Sequence, residues 1–113
     1  MTVALAINNQ QLSAVTTGTG TALDTRGSPW VTMTGIWSAG VTAGVLTLES
    51  SPDGTNFAAM GTLSFVASTT NRLAVTEAAK FVRARVSTTV VGGTVSVFLT
   101  IGSPIYGDVG WSG

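Results

Sequence analysis

The chain has 113 residues, no cysteine, no histidine and a formal net charge of 0, its 5 Lys plus Arg balanced by 5 Asp plus Glu. That inventory excludes a disulfide framework, a thiolate or imidazole metal centre, a His-based catalytic apparatus and the basic footprint that nucleic-acid binding requires. The length suits one domain with one core, and charged residues make up only 9% of the chain against roughly 25% in ordinary globular proteins, so copies of the chain or another protein are expected to cover much of the surface.

Thr, Val and 14 Gly set the character of the sequence while Lys, Glu, Gln and Arg are scarce, a balance that predicts strands joined by turns. From Met1 to about Ser28 the pattern is weak. A short apolar segment, Val3–Ile7, precedes a Thr-Gly tract at Thr16–Thr21, and the stretch reads as an edge strand or arm followed by a loop. No basic residue precedes the apolar segment and no apolar run approaches the roughly 20 residues needed to span a bilayer, so neither a secretory leader nor a membrane partner is expected.

Trp30–Trp37 alternates with apolar bulk on both faces, Trp30, Thr32, Thr34 and Ile36 against Val31, Met33, Gly35 and Trp37, which predicts a strand covered on both sides. After a turn at Ser38–Gly40, a strand over Val41–Ser50 offers Leu46 and Leu48 as its core face. Ser51-Pro52-Asp53-Gly54 then has turn chemistry: Pro52 presets φ, Asp53 suits the third position, and Gly54 can take the left-handed conformation that closes a bulged hairpin. The return strand runs from Asn56 to about Val66, and a short strand follows at Arg72–Val75. Phe81–Ser87 and Gly93–Ile101 are the clearest strands, with Thr88–Gly92 expected to join them as a hairpin. Val82, Ala84 and Val86 form one core row and Val95, Val97, Leu99 and Ile101 another, leaving Phe81, Arg83, Arg85 and Phe98 outside.

About seven strands so spaced predict a single antiparallel all-β sandwich, jelly-roll-like, with a partly open five- or six-stranded barrel as the alternative. The expected organisation is one domain: an N-terminal arm or edge strand and loop over 1–28, a sandwich core over 29–101 and a C-terminal arm over 102–113. That last segment mixes Pro and Gly with Ile105, Tyr106, Val109 and Trp111, apolar groups expected to pack on a neighbouring subunit or back on the same sandwich.

The search for chemistry returns little. Lys80, the only lysine, stands in a polar connection where it is expected to be solvated, and Asp24, Glu49, Asp53, Glu77 and Asp108 form no acid–base constellation. No enzyme is expected, and no cofactor or metal, since Asp53-Gly54-Thr55-Asn56 carries too few carboxylates for a calcium loop. Arg83 and Arg85 share a strand face with Phe81. They suit a carboxylate or sugar, or else a cross-strand ladder with Glu49 or Glu77, the reading favoured by pairing rules. Trp30 and Trp37 read as packing residues, Trp111 as an interface residue.

Ser51-Pro52-Asp53-Gly54-Thr55-Asn56-Phe57, followed by Phe81-Val82-Arg83, resembles the Ser-x-Asp-Gly-x-x-aromatic hairpin and later aromatic-Val-Arg strand of discoidin-like sandwiches and of many small bacteriophage virion proteins. The resemblance spans residues 41 to 101. Short length, lack of cysteine and a charge-poor surface favour the phage group. That resemblance implies a structural virion protein made in the host cytoplasm: a head decoration or cement protein on the capsid surface, partnered by its own copies as a homotrimer and by the major capsid protein. The alternative is a receptor- or carbohydrate-binding module of a tail or baseplate, using Phe81, Arg83, Arg85 and Phe98; a ring-forming tail-tube or neck protein is a third class.

Overall fold

Period-two alternation of apolar and polar residues becomes nine strands in the computed structural model, which describes residues 6–26, 28, 30–66, 70–75 and 80–102. They are β1 (Ala6–Val15), β2 (Gly18–Thr19), β3 (Leu23–Asp24), β4 (Val31–Trp37), β5 (Ala43–Ser51), β6 (Ala58–Ser64), β7 (Thr70–Val75), β8 (Phe81–Val91) and β9 (Val95–Gly102). One sheet has the order β1-β9-β4-β7. The other has the order β2-β8-β5-β6, with β3 also on β8. Every pairing is antiparallel. If β2 and β3 are taken as one interrupted strand, the pairs β5–β6, β4–β7, β2/β3–β8 and β1–β9 nest inside one another. A ribbon of nested pairs rolled into two sheets is a jelly roll.

Between the sheets lie the rows expected from the sequence: Leu46 and Leu48 from β5, Val82, Ala84 and Val86 from β8, and Val95, Val97, Leu99 and Ile101 from β9, joined by Val31, Met33 and Trp37 from β4. Full burial of one such aliphatic side chain contributes about 1.5–3 kcal/mol, so these rows dominate the stabilising side. Trp37 satisfies its one polar atom by donating from Nε1 to Asn71 Oδ1 at 2.7 Å, and its ring meets Phe65 edge-on at 5.3 Å.

The structure corrects three expectations. First, β8 and β9 are not a hairpin: β8 runs on to Val91 in one sheet and β9 belongs to the other. Gly92, at φ +89°, and Gly40, at φ +95°, sit back to back where the chain changes sheets, and a Cβ on Gly92 would collide with the Gly40 carbonyl oxygen. Thr42 N–H donates to Val91 O at 2.9 Å and Ser38 N–H to Thr94 O at 2.8 Å, so the two sheet-crossing turns brace each other. Second, β4 is covered on one side only within the described chain. Trp30 and Ile36 remain 40% and 43% exposed. Third, the connection from β5 to β6 is longer than a tight turn, occupying residues 52–57.

Residues 6–24, assigned from sequence to an arm or edge strand and a loop, supply β1, β2 and β3. β1 is an edge strand, hydrogen-bonded to β9 from Ala6↔Gly102 to Val15↔Val95. Gln11, at a bulge in β1, reaches across to the other sheet, where its Oε1 accepts from Ala84 N–H at 2.9 Å and its Nε2 donates to Thr21 O at 2.9 Å. It thereby fills the gap between β2 and β3 along the edge of β8.

Candidate functional site

The outer face of the β2-β8-β5-β6 sheet carries the densest polar chemistry among the described residues, and its geometry starts in the loop after β5. Ser51 Oγ donates to Asp53 Oδ1 at 2.8 Å and accepts from the backbone N–H of Asp53 at 3.2 Å and of Gly54 at 2.9 Å. Asp53 Oδ1 also accepts from the N–H of Thr55 and Asn56 at 2.9 and 2.8 Å, and Oδ2 from Asn56 Nδ2 at 2.7 Å. Backbone donors at Asn56 and Thr55, then the side chains of Asn56 and Ser51, stabilise the carboxylate and hold its pKa far below the ordinary range. Gly54 supplies the left-handed step at φ +79°, and Pro52 lies exposed beside it. The loop is thus wound around this carboxylate, whose bonds serve the loop's own backbone and side chains.

This winding lays Phe57 over the sheet, where the Arg83 guanidinium stacks 3.8 Å from the ring centroid. The β5–β8 register places Glu49 opposite Arg83 and Thr47 opposite Arg85. Arg83 Nε donates to Glu49 Oε1 at 2.8 Å and Arg85 Nε to Glu49 Oε2 at 2.9 Å. Glu49 is only 7% exposed. Burial by itself would raise its pKa, but the hydrogen bonds and charges of Arg83 and Arg85 together outweigh burial and hold the carboxyl below its usual value. The cross-strand ladder therefore forms with Glu49. Beside it, Thr47 Oγ1 donates to Ser87 Oγ at 2.7 Å and Ser87 Oγ to Val45 O at 3.2 Å.

Phe81 is half-buried on the same strand face, against the Gly54 backbone. Phe98 is elsewhere. It lies on β9, on the outer face of the opposite sheet, because β8 and β9 do not pair, so the four-residue face Phe81, Arg83, Arg85 and Phe98 is divided between the two sides of the sandwich. Lys80 stands 3.7 Å from Asp24, with both side chains about half exposed, a geometry for a solvated ion pair and not for a desolvated base. The Asp24 carboxyl is held below its ordinary value by the Arg26 backbone N–H first, against a smaller opposing effect of burial, with Lys80 adding to the lowering. Among the described residues no three His, Cys, Asp or Glu side chains are grouped to hold a metal, and no helix is long and apolar enough to cross a membrane. Ile105, Tyr106, Val109, Trp111, Glu77 and Asp108 lie outside the described residues.

Sequence reasoning missed two features. Phe57 was placed at the start of the return strand, whereas it lies in the loop before β6 and serves as the platform for Arg83. Only β4 of the β1-β9-β4-β7 sheet was expected to be covered on both faces, yet among the described residues its outer face is open and continuous with the rest of the sheet: register aligns Gln10, Phe98, Thr34 and Arg72 across four strands, with Ser96, Ile36 and Thr70 alongside. Arg72 is the only charged side chain there among the described residues. Thr100 Oγ1 donates to Asn8 Oδ1 at 2.6 Å on the same face, which is otherwise amide, hydroxyl and apolar surface.

By architecture the chain is thus a two-sheet jelly-roll sandwich with a charge-poor face on one side, where Arg72 is the only charged side chain among the described residues, and an arginine–glutamate ladder on the other. No protein-family model matches it, and no curated protein sequence does. Among solved structures it is similar to the SPBc2 prophage-derived protein YomS, with a TM-score of 0.67 and 14% identity over 91% of this chain and 97% of that one. The likeness shows a shared fold across nearly the full length of both chains.

Proposed function

We propose that the chain is a structural phage virion protein that decorates and cements the head, binding as a homotrimer across subunits of the major capsid protein without catalysis. The observation that carries this reading is the end-to-end fold likeness to a prophage-derived protein. The surface supports it. One outer face is broad, charge-poor apart from Arg72 and partly apolar, with Trp30 and Ile36 exposed, the kind of surface that remains soluble through its hydroxyls and amides yet loses little on being buried. Repeated at every capsomer seam, weak identical contacts of this kind add by avidity. The receptor- or carbohydrate-binding alternative is less well served, because the aromatic–arginine face it needs is divided by the two sheets.

Calibrated peptide mass spectrometry on purified particles from the source tests the reading. Copies on the scale of the major capsid subunit are expected. A handful per particle would overturn it in favour of a tail or baseplate component, and none would leave a soluble binding module.

A further inference from the structure

We propose that Arg83 and Arg85, held by Glu49, form a socket for one carboxylate presented by a different shell protein; the inference rests on the virion reading above and names the chemistry of its contact. One guanidinium neutralises Glu49. The second leaves a net charge of +1 at the centre of a sheet face, in a chain that has only 5 basic residues to place.

The bonding leaves capacity as well as charge. Both Glu49 oxygens are bonded through the arginine Nε atoms, and among the described residues no hydrogen bond engages the terminal Nη groups of either side chain. The side chains that carry them are partly exposed, at 29% for Arg83 and 40% for Arg85. They are also preorganised. Glu49 fixes each guanidinium at its inner edge and Phe57 backs Arg83, so part of the ordering entropy that a free surface arginine would lose on binding is already spent.

The same geometry selects the ligand. A monoanion balances the +1 charge, whereas a phosphate dianion would leave excess negative charge beside the buried Glu49 carboxylate. A planar carboxylate fits the guanidinium forks. A sugar is disfavoured because Arg83 already occupies a face of the Phe57 ring on which it would stack. Among the described carboxylates of the chain, Glu49 is held by the arginines, Asp53 is bonded mainly within its own loop, and Asp24 stands 3.7 Å from Lys80. Charge complementarity to the two arginines is what identifies the occupant as an acidic side chain, that of another protein of the shell.

The test follows arginine Nε–Hε resonances of the intact chain while sodium acetate, inorganic phosphate or N-acetylneuraminic acid is added at constant ionic strength. Acetate is expected to shift the Arg83 and Arg85 signals saturably and to leave Arg26 and Arg72 in place, with apparent affinity at least tenfold weaker in Arg85→Gln. Arg85→Lys, which keeps the charge but loses the fork, is expected to fall between, and the amide fingerprint of each variant verifies that it folds. Absence of saturation, or equal shifts at Arg26 and Arg72, overturns the socket. Phosphate binding as tightly as acetate overturns the monoanion preference, and tighter N-acetylneuraminic acid binding overturns the protein source in favour of an acidic glycan. Occupancy on particles separates the two claims: decoration unchanged by Arg85→Gln overturns the socket alone, while absence of wild-type decoration overturns the virion reading.

Discussion

At Asp53 a single side chain accepts two backbone N–H groups, one amide and one hydroxyl, so deleting it unwinds the loop that carries Phe57. Asp53→Ala is expected to lower the melting temperature at neutral pH and to loosen the stacking of Arg83 on Phe57, read by differential scanning calorimetry and by ring-current shifts at Arg83. Acid behaviour follows with a definite sign. Asp53, Glu49 and Asp24 all have folded-state pKa values below their ordinary ones, so below about pH 4 the unfolded chain binds more protons than the folded one. The stability they contribute is present above the unfolded values and drains away as pH falls towards the folded values. Asp53→Asn removes one proton from that difference, and a flatter acid limb in the plot of stability against pH is the expected result; an unchanged slope would contradict the loop's hydrogen-bond account. The ladder at Glu49 was legible in the sequence because charge pairing across strands follows alternation. Phe57 was not legible, since its position depends on how the loop winds around Asp53.

At the scale of elements, alternation marked the buried rows of β5, β8 and β9, but it could not say which strands pair. A glycine-flanked connection such as residues 92–93 serves a hairpin or a sheet-crossing turn equally well. The choice is made by the distant Gly40, whose carbonyl oxygen occupies the space a side chain at 92 would need. Periodicity also failed over the Thr-Gly tract, because β2 and β3 hold only two residues each and Gln11 of the other sheet supplies the missing partner between them. Gln11→Ala removes that partner and leaves the Ala84 N–H, in a residue buried in the core, unpaired. The expected cost is about 1–3 kcal/mol by denaturant titration. Amide exchange at Ala84 is expected to accelerate more than at Leu46 or Leu48, and equal acceleration at all three would mean that Gln11 contributes only general packing.

For the whole molecule, the nested pairing has a kinetic meaning. The β5–β6 pair needs the shortest loop closure and β1–β9 the longest, so entropy favours growth from the hairpin outwards. Leu48→Ala, costing about 2–5 kcal/mol, is expected to slow folding, whereas Leu12→Ala in β1 is expected chiefly to speed unfolding, a contrast that stopped-flow chevrons resolve. Slower folding from Leu12→Ala than from Leu48→Ala would reverse the proposed order. The same nesting sets where the described ribbon begins and ends. Ala6 and Gly102 are direct partners across β1 and β9. The first and last described strand residues thus share one corner of the sandwich, and a short bridge between those two residues would turn the ribbon into a closed loop.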